Sequence, residues 1–318
     1  MALPGRVKVV EVGPRDGLQN EGQTVSAAVK VGLIEHLLDA GLSVIEAGSF
    51  VSPQWVPQMA DSGEVLRTVL GRSRGRRGAS FPVLTPNLRG FDAAVEAGAR
   101  DVAIFAAASE SFSQRNINCS VSESLKRFAA VVDSASALEI PVRGYVSCAI
   151  ACPYEGRIAP QKVADVALRL FEMGCHEISL GDTIGMGTPA TVQPMIEACA
   201  AVVPLDRLAG HFHDTFGMAI ANVYASLEVG MAVFDSSISG LGGCPYATGA
   251  SGNVATEDVL FLLQGLGIES GIDMAALLLA SEYISQHLAR QPASKVARAL
   301  LARSGGIMST VLAARGGR

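Results

Sequence analysis

The chain has 318 residues, and 49% of them are apolar, enough to bury a large core and too many for a disordered segment. Its formal net charge of −5 argues against nucleic acid as the main partner, because phosphate binding leaves a basic footprint, but a small anionic ligand needs only a local positive site. No apolar run approaches the roughly 18 residues of a membrane span, and MALPGRVKVV shows no export signal, so a cytoplasmic chain with six reduced cysteines is expected. Cys148 and Cys152 stand four apart with no second pair to complete a zinc cluster.

In chain order, β-branched runs alternate with amphipathic stretches. The strand candidates are VKVVEV, SVIEAG, FPVLTP, DVAIFAA, PVRGYVS, EISLGD, RLAGHFH and AVFDSSI. Between them lie helical patterns such as SAAVKVGLIEHLLDAGL, SESLKRFAAVVDSASAL and PQKVADVALRLFEMG. Eight strands in this alternation predict an α/β fold, a closed parallel (β/α)8 TIM barrel with a C-terminal helical extension. An open doubly wound sheet is the alternative from pattern alone. Gly41, Gly98, Gly174 and Gly230 each close a helical pattern just before a strand, where a left-handed residue is needed. The basic loop GRSRGRRG follows a helix and precedes a strand, which in a barrel puts it on the face opposite the active site as a solvated loop. Beyond residue 271 only helical patterns remain. Residues 1–271 are therefore expected to form the barrel and 272–318 a helical extension packed on it, with the last residues disordered.

Barrel enzymes keep their chemistry at the C-terminal ends of the strands. Those ends carry Arg15 and Asp16 in EVGPRDGLQNE, Glu46, Asp182, and the pair His211 and His213 in GHFHDTFGMA; the glycine-rich GLGGCPYATGASGN then follows with Cys244 and Asn253. Each has a plain alternative. Asp182 suits a turn or helix cap, Glu46 a cation partner, Arg15 an ion pair with Glu46 or Asp182, and Cys244 a small buried position. Their convergence on one rim is what those alternatives explain poorly. Residues i and i+2 of a strand share a face, so His211 and His213 can meet one ion. With Asp16 and the Asn253 amide they suit an octahedral divalent ion such as Mg2+ or Mn2+, although zinc and iron accept the same ligand types. A permanent cation at Arg15 fits reactions that build negative charge on oxygen. Cys244, after two glycines and beside Pro245 in a glycine-rich loop, reads as a thiol on a mobile lid, in an acid/base rather than nucleophilic role.

Taken together, EVGPRDGLQNE, GSFVSPQWVPQMAD, PVLTPNLRGF, RGYVSCAIACPYEG, EISLGDTIGMGTP, HFHDTFGMAIAN and GLGGCPYATGASGNVATED resemble the hydroxymethylglutaryl-CoA lyases, from about Val7 through SKVARA. These belong to a metal-dependent superfamily of lyases and Claisen-type synthases. The synthases share the Arg-Asp turn and the His-x-His but lack the cysteine loop. The resemblance implies cleavage of 3-hydroxy-3-methylglutaryl-CoA to acetyl-CoA and acetoacetate, a step of leucine catabolism and ketone-body formation. It implies Asp16, His211, His213 and Asn253 as metal ligands, and Arg15, Asp16, Glu46, Asp182, His211 and Cys244 as catalytic positions. Arg15, Gln19, Arg143, Asn87 and Lys295 are expected as substrate contacts, with surface roles the alternative for the last three. Gly22 stands where human-type members carry a lysine. The expected partner is a small acyl-CoA, with no nucleic acid and no membrane, in a homo-oligomer of two or more copies. A lyase for a bulkier 3-hydroxyglutaryl-CoA, a Claisen synthase and a non-catalytic binding barrel are the competing readings.

Overall fold

The computed structural model describes residues 2–73, 78–244 and 247–303; the side chains of residues 244, 247–251 and 303 are outside that description. The strands are β1 (Lys8–Glu11), β2 (Val44–Ile45), β3 (Gly48–Ser49), β4 (Val83–Leu84), β5 (Val102–Ala107), β6 (Val142–Ser147), β7 (Ala151–Cys152), β8 (Gly156–Arg157), β9 (Glu177–Asp182), β10 (Leu208–Phe212), β11 (Val233–Ser236), β12 (Gly243–Cys244) and β13 (Ala247–Ser251). The helices are α1 (Ala27–Asp39), α2 (Ser62–Arg72), α3 (Leu88–Glu96), α4 (Glu110–Ile117), α5 (Val121–Ala137), α6 (Pro160–Met173), α7 (Pro189–Ala200), α8 (Ala219–Glu228), α9 (Thr256–Gly265), α10 (Met274–His287) and α11 (Lys295–Arg303).

Every strand expected from the sequence is present, and all pair in parallel in the order β2-β1-β11-β10-β9-β6-β5-β4-β3. The two ends of that order are the two halves of one expected strand, SVIEAG. Glu46 N donates to Glu11 O on one side at 2.8 Å, while Ile45 N and Ala47 N donate to Ser80 O and Pro82 O on the other at 3.0 and 2.9 Å. Residues 44–49 are therefore hydrogen-bonded along both edges, and the sheet closes on itself as a TIM barrel. The second strand departs from expectation only in being two short pieces that exchange partners.

The main core lies between the sheet and its helices and takes alternate strand residues such as Val142, Val146, Ile178 and Leu180. The other set faces the barrel interior, as the two-residue period of a strand requires. There the apolar filling is small, with Val10, Val12, Ala209 and Val233 in one cluster and Leu84, Ala103 and Tyr145 in another. Polar residues fill the rest. Gly41, Gly98, Gly174 and Gly230 all have positive φ, between 95° and 116°, as their place after helices demanded. Beyond the barrel, α10 lies against α1 and α11 against α9. Tyr283 of α10 sits over Gly32, where a Cβ would meet its hydroxyl at 2.3 Å. The expectation of a disordered end falls on residues 304–318, outside the described residues, as do residues 74–77 of the basic loop.

Candidate active site and metal centre

The chain leaves β1 through one turn of π-helix, Gly13–Gly17, which projects Arg15 and Asp16 over the barrel end. Glu11 holds this turn in place. Its carboxylate accepts from Gly13 N and Ile238 N at 2.8 Å each and from the Thr256 hydroxyl at 2.6 Å. Burial nevertheless pushes Glu11 up to about 8, against those three donors. At Gly17 any side chain would collide, since a Cβ would lie 2.7 Å from both Leu241 Cβ and Ser237 Oγ.

Arg15 is buried and committed on both sides. Its Nε and Nη2 donate to Glu46 Oε2 at 2.6 Å each, and Nη1 donates to Asp16 Oδ1 at 2.6 Å. Its guanidinium carbon lies 5.5 Å from the Tyr145 ring centroid. Burial works against the cation, but Glu46 and Asp16 together hold its pKa above the ordinary arginine value. The two carboxylates differ. Burial disfavours ionised Asp16, yet Arg15, His211, His213 and an Asn253 hydrogen bond bring it down to about 2. Glu46 is raised, because burial outweighs the Arg15 and Arg143 guanidiniums and Asp16 repels it. Arg15 answers to two anions and Glu46 to one close cation, so the partners of one pair shift unequally.

His211 and His213 extend from β10 onto the same face, as their spacing predicted. Their Nε2 atoms face each other at 3.3 Å, and His211 Nε2 lies 3.9 Å from Asp16 Oδ2. Asp16, His211 and His213 offer ligand atoms all within 4.8 Å of one another. His213 Nδ1 is buried without a hydrogen-bond partner among the described residues. Burial, then His211, lower His213 to about 4; His211 is raised, because Asp235 and Asp16 outweigh its burial. Asn253 bridges to His213 and donates to Asp16 Oδ2 at 2.9 Å. Two imidazole nitrogens turned on one point beside a carboxylate repel unless a cation or proton lies between them. This donor set, two nitrogens with carboxylate and amide, fits a divalent metal.

Arg15, Asp16, His211 and His213 line a cleft of about 820 Å3 together with Gln19, Asn87, Trp55, Arg115, Arg127 and Gly243. Gln19 and Asn87 thus reach the site, although the Asn87 side chain also caps α3 by accepting from Gly90 N at 2.9 Å. Other expected residues stand elsewhere. Asp182 is fully buried, accepts from Gly187 N at 2.8 Å and is pushed by burial up to about 6; its neighbours Gly181 and Thr183 line the cleft in its place. Lys295 is an exposed residue at the start of α11, 3.8 Å from Asp214. Arg143 lies inside the barrel with its guanidinium held by Glu177 and Asp235. The Cys244 backbone belongs to the hairpin β12–β13 beside cleft-lining Gly243; its side chain is outside the described residues. Sequence reading missed Tyr145, Glu177, Ser179 and Asp235. Their one signal was the alternation of polar residues in RGYVS and EIS; Asp235 stands alone among the interior positions of VFDS.

The HMGL-like family profile matches residues 6–284. The mitochondrial hydroxymethylglutaryl-CoA lyase of Arabidopsis thaliana is 59% identical over 94% of this chain, which spans 63% of that protein's length. A Pseudomonas aeruginosa protein named 3-hydroxy-3-isohexenylglutaryl-CoA/hydroxy-methylglutaryl-CoA lyase is 57% identical over 96% of the chain and all of its own length. The crystal structure of hydroxymethylglutaryl-CoA lyase from Pseudomonas aeruginosa superposes with a TM-score of 0.93 at 57% identity, covering 95% of this chain and 100% of that one. An Arg-Asp turn, a His-x-His strand end and a cysteine hairpin on one barrel rim, joined to identity of this extent, leave one conclusion: the chain belongs to the hydroxymethylglutaryl-CoA lyase family.

Proposed function

We propose that this chain cleaves 3-hydroxy-3-methylglutaryl-CoA to acetyl-CoA and acetoacetate. The observation that carries the reading is the meeting of Asp16, His211 and His213 within 4.8 Å beside the buried Arg15. A divalent ion, Mg2+ or Mn2+, held by those three residues and Asn253 would supply a Lewis acid for the substrate's hydroxyl and free carboxylate. Arg15, locked by Glu46, would face the thioester oxygen and stabilise the charge that collects there. Transfer of the hydroxyl proton to one of Asp16, His211 or Cys244 lets the adjacent carbon–carbon bond break. Its electron pair then enters the thioester as an enolate, and the hydroxyl carbon becomes the ketone of acetoacetate. Cys244 is assigned the proton that converts the enolate carbon to the methyl group of acetyl-CoA. Gln19 and Asn87, on the cleft wall, are assigned to substrate binding. Asp182 is assigned to holding the turn before α7 through Gly187. The reading carries with it a cytoplasmic homo-oligomer, and no helix among the described residues is long and apolar enough to cross a membrane.

The test is turnover of a panel of 3-hydroxyglutaryl-CoA analogues with and without Mg2+ or Mn2+, with products identified. Metal-dependent acetoacetate from the 3-methyl compound is expected. A preference for a compound with a long 3-alkenyl chain would move the substrate to the bulkier class. CoA release from acetyl-CoA and an oxo acid, without lyase turnover, would replace the reading with a synthase. Cys244→Ala should keep fold and metal and lose most turnover; near-normal turnover removes the thiol from the mechanism.

A further inference from the structure

Asp235, on β11, is a residue that no motif singled out, and it lies directly beneath the proposed metal ligands. His211 and Asp235 are register partners on adjacent strands, and both point into the barrel. Asp235 Oδ2 lies 3.1 Å from His211 Nδ1. The same oxygen accepts from the Ser179 hydroxyl at 2.7 Å and from Arg143 Nη1 at 3.1 Å, while Oδ1 accepts from Arg143 Nη2 at 2.7 Å.

This arrangement decides the tautomer of His211. A guanidinium has donors and no acceptor, so Arg143 requires acceptors at both oxygens of Asp235. The carboxylate therefore has no proton to give His211, and His211 Nδ1 must donate. In the neutral ring the lone pair then sits on Nε2, the atom turned toward His213 and Asp16.

Arg143 is itself fixed from two more directions. Its Nε donates to Glu177 at 2.8 Å, and Glu177 pairs with Lys8 at 2.5 Å. Its Nη1 donates to the Tyr145 hydroxyl at 2.8 Å, which in turn donates to Glu46 at 3.3 Å, the anchor of Arg15. One guanidinium thus supports His211 through Asp235 and Arg15 through Tyr145 and Glu46.

We propose that Asp235, clamped by Arg143 and Ser179, is a positioning residue that fixes His211 as its Nδ1–H tautomer and delivers the Nε2 lone pair to the metal site. The part concerning metal rests on the proposed function; the part concerning the tautomer does not. A carboxylate behind a ligating histidine typically contributes about 10- to 100-fold to metal affinity.

The experiment uses the full-length protein labelled with 15N-histidine, metal-free and at a pH where the imidazoles are neutral, with ring nitrogens assigned by loss of the His211→Ala signals. Nδ1–H and bare Nε2 are expected for His211, and Nε2–H in the wild type overturns the proposal even if no variant folds. Asp235→Asn is then titrated with Mn2+ and followed by the paramagnetic signal of the free ion, beside wild type and His213→Ala. Affinity about 10- to 100-fold weaker, with circular dichroism unchanged and the His211 nitrogen pattern altered, supports the assignment. Wild-type affinity with an unaltered nitrogen pattern in Asp235→Asn overturns it. Failure of the wild type to bind Mn2+ counts against the metal reading, and the tautomer result then judges Asp235 alone.

Discussion

Replacing Glu46 by Gln separates what the buried ion pair does for the fold from what it does for the site. Glu46 is fully buried, with Arg15 Nε and Nη2 at 2.6 Å from Oε2 and the Tyr145 hydroxyl at 3.3 Å from Oε1. Arg15 keeps Asp16 at 2.6 Å, so the variant does not strand a buried cation. A glutamine oxygen in place of Oε2 still accepts from Arg15. The amide nitrogen then faces Tyr145, whose own proton loses its acceptor, at a cost of about 1 kcal/mol. Against this stands relief of the burial penalty that holds Glu46 above the ordinary carboxylate range. The net change in unfolding free energy should stay within about 1 kcal/mol, well short of the roughly 3–5 kcal/mol for a broken buried pair. Turnover should suffer more, because a neutral anchor holds the Arg15 donors less firmly; loss of one positioned donor typically lowers kcat by about 10²-fold or more. Urea unfolding and acetoacetate production measure the two effects. Destabilisation near 3 kcal/mol with unaltered kcat would show that the pair serves the fold and not the site.

Gly17→Ala should destabilise the chain by about 1–3 kcal/mol through overpacking against Ser237 and Leu241, and weaken Mn2+ binding by displacing Asp16; unchanged melting and affinity would show that the turn has room. Mn2+ at about 100 times its Kd should add about 2.7 kcal/mol to the stability of the wild type and much less to His213→Ala, read by calorimetry against a chelated control. An equal gain in both proteins would remove His213 from the ligand set. Glu257 is held by burial up to about 7, from an ordinary value of 4.5. The native state therefore binds the extra proton between those values, and stability should fall as pH rises through that window. Glu257→Gln should flatten that part of the slope in urea midpoints taken across pH; an unchanged slope assigns it to other groups.

The sequence made the barrel readable because its strands are β-branched runs and the helices before them end in glycine, both local signals. It made the rim readable because His211 and His213 lie on one strand and Asp16 just past another. Arg143 shows where that legibility ends. As a lone arginine at the start of a strand, it reads as a free cation available to a substrate. Its partners Glu177 and Asp235 lie 34 and 92 residues away, and only barrel closure turns all three toward one interior. Asp182 is the reverse case, because its place at a strand end invited a catalytic role while strand alternation turns it from the cleft. The break of SVIEAG into two pieces had no local signal either, since it reflects two neighbours claiming opposite edges of six residues.

That strand ties closure of the barrel to the chemistry of the site. Glu46 sits between the β1 and β4 edges of the sheet, and its backbone nitrogen joins the β1 edge while its side chain holds Arg15. A refolding chain with every other strand zipped but this strand undocked would carry Arg15 without its anchor and the site unfinished. Docking of this strand and anchoring of Arg15 are thus one event, and recovery of activity during refolding reports on the capture of residues 44–49 between their two neighbours.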